Sequence, residues 1–154
     1  MFNNFTPAML DLFASSLWET LIMVGISGLV GGLLGVPLGV FLRLTDDGGV
    51  LENGPVNKLV GWLVNAVRST PFIILLVAII PFTRLITGTT IGVWAAIVPL
   101  AISATPFFAR IAEVSLREVD PGLIEAAQAM GCRKWHIIWD VYLPEALPGI
   151  VGGF

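Results

Sequence analysis

Residues 20–42 read TLIMVGISGLVGGLLGVPLGVFL, an apolar stretch without a charged side chain. An α-helix rises about 1.5 Å per residue, so this stretch would extend about 33 Å, and the hydrocarbon core of a bilayer is about 30 Å thick. A strand with an open edge would leave its backbone groups unpaired in lipid, so a helix is the expected form. We therefore predict a first membrane-spanning helix at residues 17–42.

Two further apolar stretches predict a second span at residues 59–82 and a third at residues 91–109. Arg68 is the one charged residue in the second stretch, and the third has none. The chain of 154 residues is 56% hydrophobic and 12% charged, with a mean hydropathy of +0.89, whereas soluble domains carry about 25% charged residues. The sequence therefore predicts an all-α membrane protein, a polytopic helical bundle with three complete spans.

The two ends of the sequence carry separate expectations. Residues 1–16 contain no Lys or Arg, and a cleavable signal peptide needs a positively charged start, so the first span is expected to be retained. Residues 149–154 begin another apolar stretch that is too short to span. Either this stretch ends at the membrane interface or the sequence is C-terminally truncated inside a fourth span, and we favour truncation. With a net charge of −3, the chain lacks the excess of basic residues that is typical of nucleic-acid-binding proteins. Its single cysteine excludes an internal disulfide.

The basic residues predict the orientation, because cytoplasmic loops of membrane proteins carry an excess of Lys and Arg. The loop between the first two spans and the segment after the third carry six basic residues, whereas the opposite side carries one, Arg84. The six are Arg43, Lys58, Arg110, Arg117, Arg133 and Lys134. We therefore place the N-terminus outside and residues 110–148 in the cytoplasm.

Small residues and prolines mark the interiors of the spans. Gly31, Gly35 and Gly39 recur at four-residue spacing, a pattern that lets membrane helices approach closely. This glycine face predicts either a subunit or gating interface or ordinary packing within one subunit. Prolines within the spans are expected to kink them, since each removes a backbone donor: Pro37, Pro71, Pro81, Pro99 and Pro106.

Arg68 is the intramembrane charge of the second span and precedes Ser69, Thr70 and Pro71. A charge at the centre of the bilayer costs about 2.5–3.5 kcal/mol on insertion scales. One interpretation is structural: Arg68 reaches the cytoplasmic interface or pairs with a carbonyl or carboxylate. The other places Arg68, Ser69 and Thr70 on a substrate path.

The residues that the spans lack bear on the source of energy. No Asp or Glu lies within them apart from Glu19 at the mouth of the first, and proton-coupled transporters usually need an ionisable relay at membrane depth. Sodium coupling through carbonyls and hydroxyls stays open. A P-loop requires Gly-Lys-Ser/Thr, and neither Lys58 nor Lys134 stands in that context. An ATPase would therefore be a second polypeptide, and no cofactor or metal is expected on this chain.

The segment after the third span predicts two short helices joined by a glycine. Asp120 and Pro121 are typical of an N-cap and a first helical position, and Gly131 fits a helix end. A second helix at residues 133–142, ended by Leu143-Pro144, would align Trp135, Ile138, Trp139 and Tyr142 on one face. Such a surface fits a groove on a partner protein. An alternative is a helix lying on the membrane, which suits the tryptophans better than the small alanines of the first helix.

This segment also carries a motif with fixed spacing. Glu125-Ala126-Ala127, three residues, Gly131, nine residues and Val141-Tyr142-Leu143-Pro144 resemble the EAA loop of ABC importer permeases. That family has Glu-Ala-Ala, three residues, Gly, nine residues and Ile-x-Leu-Pro. The one departure at a fixed position is Val141 in place of isoleucine.

The resemblance covers residues 17–152 and extends to methionine-import permeases of that family. It is carried by Trp18–Leu21, Arg68–Leu76, Pro81–Arg84, Ala95–Leu100 and Leu143–Gly149. It implies a subunit of five membrane helices that forms a homodimer in the bacterial inner membrane. It also implies two cytoplasmic ABC ATPase subunits and an extracytoplasmic solute-binding lipoprotein that delivers L- or D-methionine. The subunit itself would be a transport component and not an enzyme, working by alternating access.

The resemblance further implies a set of ATPase-coupling residues. Glu125 would pair with a basic residue of the ATPase, Ala126, Ala127 and Met130 would pack in its groove, and Gly131 would allow a tight turn. The set is completed by Leu143 and Pro144.

Two other functions remain open from the sequence. An ABC permease for another amino acid or small solute would carry the same loop. A secondary transporter or channel would lack the ATPase altogether. A membrane-anchored enzyme fits poorly, because Cys132 and His136 have no acid or metal set beside them.

Overall fold

The computed structural model describes residues 7–153, and within them the chain is helical from end to end with short connections. The helices are α1 (Pro7–Thr45), α2 (Gly54–Ser69), α3 (Phe72–Ala78), α4 (Ile80–Thr87), α5 (Val93–Arg117), α6 (Pro121–Ala129), α7 (Lys134–His136), a π-helical segment (Ile137–Tyr142) and α8 (Leu143–Gly152). The all-α prediction is confirmed. Residues 149–152 of the predicted fourth span lie in α8, and Gly153 follows its end. Phe154 lies outside the described residues, as do residues 1–6.

Helices α1 and α5 form the centre of the fold and run parallel, since successive glycines of α1 meet successive residues of α5. A Cβ atom added at Gly31 would lie 2.7 Å from the Ala104 Cβ, and one at Gly35 would lie 2.5 Å from the Thr105 carbonyl oxygen. A Cβ at Gly39 would collide with the Ala109 carbonyl oxygen. The glycine face therefore packs within one chain, which is one of the two interpretations that the sequence allowed.

The second predicted span, residues 59–82, is not one helix. The axes of α2 and α3 differ by 108° across Thr70 and Pro71. Thr70 is extended, with φ −78° and ψ 125°, because a residue that precedes proline is driven out of the helical region. A second break at Ile79 separates α3 from α4, and Pro81 lies in the first turn of α4. Pro71 and Pro81 thus lie next to breaks between helices. Pro37, Pro99 and Pro106, by contrast, lie inside continuous helices.

The other two spans are longer than their apolar stretches. Helix α1 begins at Pro7, ten residues before the predicted start at residue 17, and its 39 residues extend about 58 Å. Helix α5 continues from the predicted end at residue 109 to Arg117. Among the described residues, α1 and α5 are long and apolar enough to cross a membrane, and the bent pair of α2 and α3 is a third candidate if counted as one span.

The main apolar core lies where α1 and α5 end. Side chains from the ends of both helices and from the connections that follow them pack there with α6, the π-helical segment and α8. The cluster consists of Leu44, Val50, Ala112, Leu116, Val119, Ile124, Ala127, Ile137, Ile138, Tyr142, Ala146 and Ile150. The loop after α1 is fixed to the same end. Asn57 of α2 donates to the Leu42 carbonyl oxygen at 2.6 Å and lies 3.1 Å from the Thr45 hydroxyl. Helix α6 packs in this core through Ile124 and Ala127.

Candidate functional site

The first turn of α6 is capped as the sequence predicted. The Asp120 carboxylate accepts a hydrogen bond from the Gly122 N–H at 2.8 Å, and Pro121 occupies the start of the helix, where a missing N–H costs nothing. The Leu123 N–H donates to the Asp120 carbonyl oxygen at 3.1 Å. Both predictions for this end of α6 are confirmed.

The chain reverses direction at Gly131 after the end of α6, so the prediction of a helix end at Gly131 is confirmed. Gly131 has φ +79°, a left-handed conformation that L side chains rarely adopt. Its N–H donates to the Gln128 carbonyl oxygen at 2.9 Å, and the Cys132 N–H donates to the Ala127 carbonyl oxygen at 3.1 Å. These paired bonds are the Schellman arrangement, which satisfies the last carbonyls of a helix and reverses the chain.

The two faces of α6 have different environments. Ile124 and Ala127 are buried in the core, with Ala127 only 4% exposed. Glu125, Ala126 and Met130 face outward, and Met130 is 77% exposed. No residue in the described part of the chain forms an ion pair with Glu125.

The burial of Ala127 differs from the exposed position that we expected for it. We expected Ala127 to enter a groove on a partner together with Ala126 and Met130. Its small side chain instead packs inside this chain, because it lies three residues from Ile124 and both point at the core. Ala127 therefore helps to hold α6 in place, and the outward face keeps Glu125, Ala126 and Met130.

The return segment after Gly131 differs from the predicted second helix. We expected Leu143-Pro144 to end that helix, and this expectation is wrong: helicity continues to Gly152. The Leu143 N–H donates to the Ile138 carbonyl oxygen, five residues back, which is the π-helical pattern. Pro144 follows in the first turn of α8. The change of helical period falls at the proline, so its missing N–H is tolerated there.

The four residues predicted to share one face of the second helix have two different environments in the structure. Ile138 and Tyr142 are buried, at 3% and 1% exposure, whereas Trp135 and Trp139 are exposed, at 65% and 53%. The two indole rings pack edge to face with their centroids 5.8 Å apart. The structure therefore separates a core-facing pair from an outward tryptophan pair. Sequence reasoning missed Ile137, which is 1% exposed.

The last two residues of the expected coupling set lie beyond this turn. Leu143 is half-buried and packs against the core that also holds Ala127. Pro144 is exposed. The motif thus consists of an outward surface on α6 and an inward anchor at Leu143.

An ion-pair network that sequence reasoning missed braces the same end of the fold. The buried Glu113 carboxylate on α5 pairs with Arg110 at 2.9 Å and with Arg117 at 2.8 Å. Arg117 also contacts Asp46, in the loop after α1, at 2.8 Å. The three- and four-residue spacings along α5 are a sequence feature that could have indicated it. The network ties the α1–α2 loop to α5.

Residues 68–70 lie at the break between α2 and α3. The Ser69 hydroxyl donates to the Asn65 carbonyl oxygen at 2.7 Å, and the Thr70 hydroxyl donates to the Ala66 carbonyl oxygen at 2.8 Å. Arg68 and Thr70 line a cavity of about 460 Å³ between the break and α5. Ser69, the third residue of the expected substrate path, is not among the residues that line it.

Comparison with known proteins gives one family match and several close relatives. The family described as binding-protein-dependent transport system inner membrane component matches residues 35–154. The probable D-methionine transport system permease protein MetI of Vibrio cholerae is 56% identical over 141 residues, which cover 92% of this chain and 63% of that protein. The D-methionine transport system permease protein MetI of Yersinia pestis is 52% identical, with 95% and 67% covered. The chain thus spans less than two thirds of the length of the Vibrio cholerae relative.

A solved structure has the same fold. It comes from a native crystal form of the MetNI methionine ABC transporter, described in inward-facing conformations. The match has a TM-score of 0.92 at 48% identity, and it covers 97% of this chain and 69% of the matched chain.

Proposed function

Because this chain belongs to the family of inner membrane components of binding-protein-dependent transport systems, we propose that it is part of the permease of an ATP-driven methionine importer. Relatives at 52–56% identity are D-methionine permeases, and the matched structure is a methionine ABC transporter. These likenesses favour methionine, in D or L form, over other solutes. The family places the chain in the inner membrane.

The observation that carries the proposal is the outward face of α6. Glu125, Ala126 and Met130 project from a short helix that is capped at both ends and backed by buried Ile124 and Ala127. A helix with one face held in its own core and the other exposed is suited to the groove of a partner. We propose that this partner is a cytoplasmic ABC ATPase. Glu125 would pair with a basic residue of the ATPase, and Met130 would fill an apolar pocket.

The core behind α6 supports a mechanism in which the docked helix moves with the spans. Ile124 and Ala127 pack in one cluster with Leu44 at the end of α1 and Leu116 near the end of α5. Packed cores shift as units, because they do not deform continuously. Closure of the ATPase dimer on ATP would move α6, and α1 and α5 would tilt with it. Nothing in this step requires chemistry on the substrate.

The remaining partners and the orientation follow from the same proposal. Residues 110–148 would face the cytoplasm and the N-terminus the outside, as the six-to-one distribution of basic residues favours. A second permease subunit would complete a homodimer, and a lipid-anchored binding protein would deliver the substrate from outside. The exposed apolar side chains at the start of α1, including Phe13, Leu17 and Trp18, would contact lipid or the second subunit.

Uptake measurements test the substrate and the energy source together. The full-length permease, its ATPase and its binding lipoprotein would be expressed in a strain without its own methionine importer. We expect uptake of labelled methionine that stops when ATP is depleted while the ion gradients are maintained. Uptake of a different amino acid in preference to methionine would reassign the substrate. Uptake that persists without ATP would indicate a secondary transporter.

Co-purification tests the docking face. We expect Glu125→Gln and Met130→Ser to reduce the amount of ATPase that purifies with the permease, because each removes an outward contact of α6. Glu118→Gln is the matched control, since Glu118 is also exposed but lies before the Asp120 cap. Equal recovery of the ATPase with all three variants would reject α6 as the docking element.

A further inference from the structure

An open cavity lies where the break between α2 and α3 faces α5. Helix α2 ends at Ser69 and α3 begins at Phe72, with a 108° change of direction between them. The cavity of about 460 Å³ at this corner is lined by Arg68, Thr70, Phe72, Leu75, Ser103 and Phe107, among others. Discontinuous helices of this kind form substrate sites in several transporter folds, because their interrupted backbone must line a cavity and not lipid.

The packing of α1 on α5 gives the depth of this cavity. Gly31 lies against Ala104, the neighbour of Ser103. Gly31 is also the midpoint of the charge-free stretch 20–42 of α1, which is expected to cross the hydrocarbon core. The cavity is therefore expected to lie near the middle of the membrane, where a polar substrate that crosses it would pass.

Arg68 is the one charged side chain that lines the cavity. Across residues 7–153, no side chain or carbonyl group forms a hydrogen bond or ion pair with its guanidinium. A charged group at this depth is expensive and marks either an ion pair or a path for a polar substrate. The cavity thus contains a guanidinium group whose N–H donors have no partner among residues 7–153.

The other lining groups are apolar or already paired. The Thr70 hydroxyl donates to the Ala66 carbonyl oxygen at 2.8 Å, and the Ser103 hydroxyl donates to the Leu100 carbonyl oxygen at 3.0 Å. Phe72 and Phe107 contribute aromatic rings that are partly exposed, at 42% and 56%. The cavity therefore offers a ligand the N–H donors of one guanidinium group beside two aromatic rings.

We propose that this cavity is a binding site for the translocating amino acid, with its carboxylate on Arg68 and its apolar side chain against Phe72 and Phe107. The guanidinium fork binds carboxylates through two parallel hydrogen bonds. A thioether side chain makes favourable contacts with aromatic rings. This inference rests on the proposed function, since it assigns the substrate of that importer to named residues.

Alkylation of a single cysteine tests the site in the assembled full-length transporter. Ser103→Cys would be introduced into a Cys132→Ser background, and the rate of reaction with a water-soluble maleimide would be measured in vesicles. At methionine concentrations about ten times the dissociation constant, we expect the rate to fall about tenfold. Methioninamide, which lacks the carboxylate charge, is expected to leave the rate unchanged. Thr105→Cys, two residues along α5 but outside this cavity, is the control, and methionine should not affect it.

Variants of Arg68 complete the experiment. Arg68→Gln should abolish the protection by methionine, and Arg68→Lys should retain part of it. If Arg68→Gln does not assemble, the comparison of methionine with its amide on wild-type Arg68 still decides. Equal protection by the two compounds, protection that survives Arg68→Gln, or a cysteine at 103 that methionine does not shield would overturn the inference. Uptake measured in the same vesicles separates the two proposals: methionine uptake without protection rejects the site and leaves the importer standing.

Discussion

The guanidinium of Arg43 lies over the ring of Tyr142, with its central carbon 5.8 Å from the ring centroid. Arg43 belongs to the last turn of α1, and Tyr142 closes the π-helical segment that follows α6. The Arg43 Nε atom is buried and has no hydrogen-bond partner among the described residues, and the tyrosine ring gives its guanidinium a cation–π contact. The pair connects the end of α1 directly to the π-helical segment.

Tyr142→Ala should be strongly destabilising. The ring is 1% exposed, and it packs in the core with Ile138 and Leu116. Aromatic-to-alanine changes in cores cost about 3–5 kcal/mol, through lost burial and the cavity left behind. Tyr142→Phe keeps the ring and its contact with Arg43, so it should cost much less. Thermal unfolding of the purified transporter in detergent measures both, and equal midpoints would contradict the packing described here.

Gly39→Ala should destabilise the protein, whereas Gly28→Ala should not. A Cβ at position 39 would collide with the Ala109 carbonyl oxygen and lie 2.8 Å from the Ala112 Cβ, whereas one at position 28 meets nothing within 4 Å. Alanine is favoured over glycine by about 1 kcal/mol in a helix interior, so the Gly28 variant should be neutral or slightly more stable. Both residues lie in α1, which makes the pair a matched comparison. The unfolding midpoints of the two variants test it, and a stable Gly39→Ala protein would show that α1 and α5 are not in close contact.

Glu113→Gln should weaken the junction between α5 and the α1–α2 loop. The substitution leaves Arg110 and Arg117 without the buried carboxylate that holds them. Loss of one partner of a buried ion pair costs about 3–5 kcal/mol. Both arginine side chains are about half exposed, so solvent screening should reduce the loss to about 1–3 kcal/mol. Asp46→Asn removes only the more exposed contact and should cost less than about 1 kcal/mol. Unfolding at low and high salt measures both, and a Glu113 variant as stable as wild type would refute the bracing role.

The sequence was most informative where one residue type determines the local geometry. Asp120, Pro121 and Gly131 define α6 because capping and left-handed backbone belong to few residues. The sequence predicts a kink at Pro71, whereas the structure has a break between two helices. Proline within an apolar run looks the same in sequence whether a helix bends or ends. The inward direction of Ala127 depends on the core cluster behind α6, which includes the π-helical segment and Leu44 at the distant end of α1. The π-helical turn has no residue signature, so the division between Tyr142 and Trp139 could not be foreseen.

Gly131→Ala should uncouple the transporter more than it destabilises it. A residue with a Cβ at φ +79° is strained by about 1–2 kcal/mol, and the Schellman bonds from Gly131 and Cys132 would loosen. The strain falls at the end of α6, so Met130 and Glu125 should lose their fixed positions while the core is retained. Gly131→Asn should be milder, because asparagine tolerates the left-handed region better than alanine does. Gly122→Ala is the control: Gly122 lies in the first turn of α6, and an added Cβ there would come no closer than 3.2 Å to the Asp120 carboxylate. The measurement is methionine uptake per molecule of ATP hydrolysed, taken together with the unfolding midpoint. This uptake ratio should fall from wild type to Gly131→Asn and further to Gly131→Ala. Uncoupling by Gly122→Ala equal to that of Gly131→Ala would mean that the turn at Gly131 has no special part in docking.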